Sequence, residues 1–361
     1  MLLPKNLEEI PTPALLIDLD IMEENLRLMG EYFANRTTKL RPHAKTHKSP
    51  TIAWKQLDHG AIGITCAKLG EAEILVRSGI KDVLLANQVT QPAKIRRLVA
   101  LARHSNIIVA CDSPANADDL NEAALAKGVI LNVLIEADVG LGRCGVQDAA
   151  GAVELTQHIE RLKGLRFRGI MGYEGHCVFI ADAQIRREKA AQANGRLVAI
   201  KEAIERAGIP VEIVSAGGTG TYDLAGSFPG ITEIQAGSYL FMDATYEKLG
   251  LPFRPALFVL TSVISRPRPD VAVVDAGKKA ITEEFGLPQP YQLTGVVLEK
   301  LSEEHGLLRL GEDAPKLEVN DLIRLLPTHC CTTINLHDRY YGIRGGQVET
   351  IWPIAARGAI Q

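Results

Sequence analysis

Lys45, in the run PHAKTHKSP, stands between two histidines and is the side chain best placed for covalent chemistry. An amine at a strand end loses its proton more readily when cations lie nearby. The free base can then attack a carbonyl or hold an aldehyde as a Schiff base. Arg41, His43, His47 and Lys48 are the candidate cations. A solvated basic patch has the same composition, so this stretch alone does not separate the two readings. Further motifs bear on the choice. GLGRCGV holds Arg143 in a glycine-rich turn suited to presenting a guanidinium to an anion, and MGYEGH carries Tyr173 and His176, the latter a candidate base. SAGGTGTYD supplies Ser215, Gly217, Gly218, Thr219 and Gly220, and QAGSYLFMD supplies Gln235, Gly237, Ser238 and Tyr239. Amides and hydroxyls in such turns can cradle a phosphate, although ordinary tight turns use the same residues. Near the end, His329 and Cys331 are two residues apart, so on a strand they would share a face and could hold one divalent ion. Glu303, in LSEEHG, is either a further acidic participant or an inert exposed turn.

The elements that must position these residues alternate. Short apolar runs at about 39–45, 61–66, 82–86, 106–110, 130–136, 168–172, 211–214 and 232–236 read as strands. Helical patterns fill the gaps at 49–58, 69–78, 91–103, 114–127, 148–162 and 182–207, several closed by glycine at 79, 128 and 208. Strand–helix alternation implies parallel pairing, and eight units in about 230 residues imply an α/β fold of the (β/α)8 TIM-type barrel kind, with its site at the carboxyl ends of the strands. A doubly wound open sheet is the alternative, weakened because no GxGxxG follows an early strand. From Phe253 onward the pattern becomes short β-rich runs broken by Pro, Gly and Asp. The expected organisation is a barrel over residues 1–250 and a smaller all-β domain over 251–361, with an arm at 1–20 able to join the second.

Register places the special residues together. Lys45, Arg143, Tyr173, His176 and both glycine-rich loops all follow strand ends. Loops after the seventh and eighth strands are the recurrent phosphate site of such barrels. A phosphate site opposite a Schiff-base lysine is the two-point attachment of pyridoxal 5'-phosphate.

Composition excludes some classes. The 361 residues are 46% hydrophobic and 23% charged with a net charge of -3, so nothing in the charge balance calls for nucleic acid or an anionic membrane. The start, MLLPKNLEEIPTP, lacks an apolar signal core, and no run approaches a membrane span, which places the protein in the cytoplasm as an expectation. Six scattered cysteines form no CxxC pattern and are expected to be reduced thiols.

PHAKTHKSP, GLGRCGV, MGYEGH, SAGGTGTYD, EIQAGSYLFMD and the closing HCCTTINLHDRYYGIRGG together resemble the D-threonine aldolase and D-serine dehydratase-like group of pyridoxal phosphate enzymes, with an alanine racemase-like fold. The likeness runs from about Pro11 to Gly358. It implies that Lys45 is the Schiff-base lysine and that Arg143, Tyr173 and Gln235 surround the cofactor. Gln235 stands where racemases carry an arginine facing the pyridine nitrogen. A neutral partner weakens the ring as an electron sink, so a metal that activates the substrate hydroxyl would complement it. The resemblance places that metal on His329 and Cys331. Aldolases of the group usually have aspartate at the second position, whereas a thiolate resembles the dehydratases. Thiolate favours zinc, while magnesium and manganese prefer oxygen. The implied function is a metal-dependent lyase for D-β-hydroxy amino acids such as D-threonine or 3-hydroxyaspartate, giving glycine and an aldehyde. A dehydratase giving a keto acid and ammonia is the alternative. An amino-acid racemase would have no use for the His329–Cys331 pair, and pyridoxal phosphate carriers usually lack the β-domain. A homodimer is implied by the fold.

Overall fold

Parallel strands covered by helices are buried on both faces and therefore read as continuous apolar runs. Val83–Leu85, Ile107–Cys111 and Val133–Ile135 are such runs, and all are fully buried. In the computed structural model, which describes residues 4–361, the contacts divide the chain into two interleaved units. One comprises residues 29–45, 50–237 and 358–361; the other comprises the described residues up to 28 together with 46–49 and 238–357. The change in composition alone marks a single boundary near 250 instead, because it does not register residues that pack with a distant part of the chain.

The chain enters through β1 (Ala14–Asp18) and α1 (Leu19–Ala34). The first unit is then built on β2 (Lys39–Leu40), β3 (Ile64–Cys66), β4 (Asp82–Gln88), β5 (Asn106–Cys111), β6 (Leu131–Glu136), β7 (Leu165–Met171), β8 (Ile213–Ala216) and β9 (Glu233–Ile234). All are parallel, in the order β2-β9-β8-β7-β6-β5-β4-β3. The two ends meet. Past β2 the chain forms a parallel bridge between His43 and Thr65, with Ala44 N–H donating to Thr65 O at 2.7 Å and Thr65 N–H to Pro42 O at 2.8 Å. The eight strands form a (β/α)8 barrel whose interior is filled by Leu84, Ile108, Ala110, Leu134, Met171 and Ile213.

Local chemistry sets the helices between strands: α2 (Pro50–Asp58), α3 (Leu69–Arg77), α4 (Pro92–Leu101), α5 (Pro114–Lys127), α6 (Ala149–Glu160), α7 (Ala183–Arg206) and α8 (Tyr222–Gly226). Ser113, Asp148 and Asp182 cap α5, α6 and α7 by accepting from backbone N–H groups of the first turn. Gly128, at φ 63°, ends α5 in the left-handed conformation that glycine adopts without penalty.

The amino ends of the strands carry a polar belt built around the buried Arg41 and Glu233. Arg41 Nε donates to Glu233 Oε2 at 3.0 Å, and its guanidinium also pairs with Asp82. Asn106 donates to Asp82 Oδ2 at 2.7 Å, and Asn132 donates to Asn106 Oδ1 at 2.7 Å. Burial works against the Arg41 charge, but Glu233 and Asp82 outweigh it and raise its pKa. Gly63 lies against this belt, where a Cβ would collide with Arg41 and Asp82.

The second unit is a nine-stranded sheet formed by β1 with β10 (Leu257–Arg268), β11 (Val271–Val274), β12 (Gln289–Pro290), β13 (Val296–Leu301), β14 (Gly306–Leu310), β15 (Leu322–Leu326), β16 (Arg339–Arg344) and β17 (Gln347–Pro353). Its main path runs β13-β14-β11-β10-β1-β16-β17, and β15 pairs with both β10 and β12. β1 is central, antiparallel to β10 and parallel to β16. Two short helices, α9 (Ala244–Glu247) and α10 (Cys330–Ile334), complete the unit. No helix among the described residues is long and apolar enough to cross a membrane.

Candidate active site

In the first unit the candidate residues lie at or just past the carboxyl ends of strands. Lys45 follows β2, Arg143 follows β6, Tyr173 follows β7, and Ser215 to Gly220 and Gln235 to Gly237 end or follow β8 and β9. Lys45 Nζ lies 5.5 Å from the centroid of the Tyr173 ring, and the Arg143 guanidinium carbon lies 5.8 Å from the same centroid. Both cations are within reach of the ring's negative face. Arg143 Nη2 also contacts Glu136 Oε1 at 3.3 Å, and Gln88 donates to Glu136 Oε2 at 2.6 Å. A Cβ on Gly218 would lie 3.2 Å from Tyr173 Cε2, so the absent side chain leaves the space beside that ring open. Gln235 Nε2 donates to Ser215 Oγ at 2.8 Å, a neutral pair.

A residue not singled out in the sequence holds the loop after β8. Glu174, completely buried, accepts from Gly217 N–H at 3.1 Å and from Thr221 Oγ1 at 2.6 Å. Its burial pushes the carboxyl pKa up. Its sequence position, one residue past Tyr173 in MGYEGH, was the available signal.

The other candidates lie as follows. Arg41 is bound by two carboxylates at the amino ends of the strands and supplies no uncompensated charge to Lys45. His43 accepts through Nδ1 from Lys45 N–H at 3.4 Å, and His47 accepts through Nδ1 from Ser49 N–H at 3.1 Å. Those ring nitrogens therefore act as acceptors, not as cationic donors. Glu303 is 81% exposed in the turn between β13 and β14 and pairs with Lys279 at 3.4 Å. His176 is exposed at a turn and lies over Gly140, its Cε1 3.2 Å from where a Cβ on that glycine would stand.

In the second unit, His329 and Cys331 do meet, but not by strand alternation. His329 is the extended cap of α10, and Cys331 lies in its first turn. The chain turns into a helix here because Asp243, which caps α9, also accepts from Cys330 N–H at 3.1 Å. Burial raises the Asp243 pKa to about 6. Cys331 Sγ lies 3.3 Å from Thr46 Oγ1 and 3.7 Å from Ser238 Oγ. Its thiol is held well below the ordinary range, first by its hydrogen bond with Cys330 and then by His329 and Thr46, which together outweigh burial. Burial alone would lower His329, but Cys331 and the Glu284 carboxylate push it up to about 9. Glu284 Oε2 sits 2.7 Å from His329 Nδ1, and Phe285 stacks on the imidazole at 4.8 Å between centroids. Residues 46–49 are anchored by Tyr340, whose hydroxyl donates to His47 O at 2.6 Å, and by Ala356 N–H to Lys48 O at 2.9 Å. Ser238 and Tyr239, expected at the phosphate loop, begin this unit and are buried in it.

The donor sets fit the groups implied by the sequence. An amine and a guanidinium share one aromatic neighbour beside a glycine-rich loop, which suits pyridoxal phosphate. A neighbouring imidazole and thiolate suit a divalent ion. Among the described residues no cluster of three or more His, Cys, Asp or Glu side chains is arranged to hold a metal, so an ion on this pair would keep open positions for other ligands.

Residues 17–245 match the alanine racemase N-terminal domain, and 256–343 match a serine dehydratase domain. The 3-hydroxy-D-aspartate aldolase of Paracoccus denitrificans is 40% identical over 97% of this chain and 93% of its own length. The crystal structure of D-threonine aldolase from Filomicrobium marinum superposes with a TM-score of 0.98 at 37% identity, covering 100% of both chains. The D-threo-3-hydroxyaspartate dehydratase of a Delftia species is 30% identical over 98% of this chain and 96% of its own. The chain therefore belongs to the alanine racemase N-terminal domain family, in which its aldolase relatives stand nearer to it than this dehydratase.

Proposed function

We propose that the chain is a pyridoxal phosphate- and divalent metal-dependent lyase that cleaves D-β-hydroxy amino acids, such as D-threonine or 3-hydroxy-D-aspartate, to glycine and an aldehyde. The observation that carries this reading is the meeting of Lys45, Tyr173 and Arg143 at the strand ends of a barrel whose aldolase relatives match it almost end to end. Lys45 would hold the cofactor aldehyde, with Arg143, Tyr173 and Gln235 around the ring. Ser215, Gly217, Gly218, Thr219, Gly220, Gly237, Ser238 and Tyr239 would serve the phosphate. His329 and Cys331 would hold the ion, which can be magnesium, manganese or zinc. When bound, the cofactor supplies a sink for the electron pair left by the breaking Cα–Cβ bond, and the ion makes the β-hydroxyl proton easier to lose.

The chain's own residues prepare these roles. Glu174 holds Gly217 and Thr221, which keeps the loop after β8 in one shape. Glu284 on Nδ1 of His329 leaves Nε2 as the ring nitrogen that would serve as ligand. The neutral Gln235–Ser215 pair supplies no charge to the cofactor ring nitrogen, so more of the activation falls on the hydroxyl side. The Cys331 thiolate favours a second reading, a dehydratase. Product analysis separates them: the cofactor-loaded protein is incubated with D-threonine and with 3-hydroxy-D-aspartate, with and without EDTA. Glycine plus aldehyde, lost on chelation and restored by a divalent ion, is expected; ammonia plus keto acid would replace the aldolase reading. The protein is expected to work in the cytoplasm as a homodimer, and a monomeric mass by light scattering would overturn the dimer.

A further inference from the structure

The loops that carry Arg143 and Tyr173 also form the walls of a cavity to which nothing above assigns a role. It has a volume of about 320 Å³ and is bounded by Val139 and Gly140 from the loop after β6, His176 and Ile180 from the loop after β7, and Lys189, Gln192 and Arg196 from α7. The three α7 residues stand at i, i+3 and i+7, so they share one helix face, with the small buried Ala193 between them leaving room. Gly140 is the floor. At φ 124° it adopts a conformation that favours glycine, and a Cβ there would lie 3.2 Å from His176 Cε1 and 3.3 Å from Arg196 Nη1.

Some surface cations are paired with carboxylates, as Arg168 is with Glu212 and Lys201 with Glu205. Among the described residues, Lys189 and Arg196 make no hydrogen bond or ion pair. The Asp138 carboxylate interacts with His176, and its Oδ1 accepts from the N–H groups of Gly140 and Gly142 at 2.9 and 3.0 Å. Two permanent cations, an imidazole and an amide donor, all exposed, line one concave space, where an anion can take several charge-assisted hydrogen bonds.

We propose that this cavity is a binding site for a small anion presenting carboxylate or phosphate oxygens. Two sources share that chemistry: a free anion, and a second carboxylate on a substrate or product. The test uses the cofactor-loaded protein, whose phosphate loop is already filled, and inorganic phosphate as the probe. Calorimetric titration is expected to give saturable binding that weakens at least about tenfold in the double variant Lys189→Gln/Arg196→Gln and is kept within about threefold in Arg196→Lys. Circular dichroism confirms that each variant is folded. Absence of saturable binding, or binding unchanged in the folded double variant, overturns the proposal. A steady-state arm then assigns the source. Phosphate that competes with 3-hydroxy-D-aspartate but not with D-threonine identifies the substrate's second carboxylate; phosphate that competes with neither identifies a free anion. The titration needs no turnover, so it stands or falls separately from the reaction proposed above.

Discussion

The two ends of one barrel use charged residues in opposite ways. At the amino ends of the strands, Arg41, Glu233, Asp82, Asn106 and Asn132 bond to one another in a chain in which Arg41 and Glu233 are buried and the others half-buried, with Glu233 Oε1 and Asn132 Oδ1 left without a partner. At the carboxyl ends, Lys45 and Arg143 meet over an aromatic ring, and Lys189 and Arg196 face open space. Most of this network's hydrogen-bonding capacity is spent inside the barrel, which suits it to holding the ring together. The carboxyl ends are where such a barrel presents side chains to a ligand, in keeping with the division of labour in this fold.

Substitutions at each end should separate these roles. The largest effect is expected from Lys45→Ala, which should abolish turnover, by more than about 10³-fold, and remove the visible absorption of bound cofactor. Its unfolding free energy without cofactor should stay near wild type. An active Lys45→Ala protein would break the assignment. Arg41→Ala should do the reverse. It leaves the buried Glu233 and the half-buried Asp82 without their cation and should destabilise the fold by about 3–5 kcal/mol in denaturant titrations, with kcat of the folded fraction little changed. Loss of kcat at unchanged stability would show that the amino end takes part in catalysis. Glu284→Gln tests the second unit. Losing the carboxylate on His329 Nδ1 should weaken divalent metal affinity by about 10–100-fold, read by chelator competition. Gly218→Ala should give the smallest effect. Its Cβ at 3.2 Å from Tyr173 requires the ring to give by a few tenths of an ångström, so cofactor affinity should fall about threefold to tenfold with stability kept, read by fluorescence titration.

Much of the barrel was legible because its signals are local. The eight apolar runs became β2 to β9, and glycines at 79, 128 and 208 close α3, α5 and α7 with positive φ. Local signals do not report partners from distant parts of the chain. Arg41 looked like a cation for Lys45 because the two are four residues apart, yet its carboxylates come from residues 82 and 233. His329 and Cys331 were paired by strand spacing, but a cap from Asp243, 87 residues upstream of Cys330, winds that stretch into a helix. Glu174 was overlooked because a lone glutamate in a turn carries no sign that it will be sealed beneath a loop some 43 residues on.

The position of β1 has a consequence for synthesis. Leu15, Leu16 and Ile17 form the middle of a sheet whose other strands begin at Leu257, roughly 240 residues later, on the order of tens of seconds at ribosomal elongation rates of ~5–20 residues per second. Throughout that interval an apolar strand with both edges unpaired is already outside the ribosome, a template for pairing with other chains. A fragment beginning at residue 251 would lack this central strand altogether, so the β-rich unit cannot be obtained by cutting the chain once, and chaperone dependence during translation should exceed that of the barrel expressed with its own ends intact.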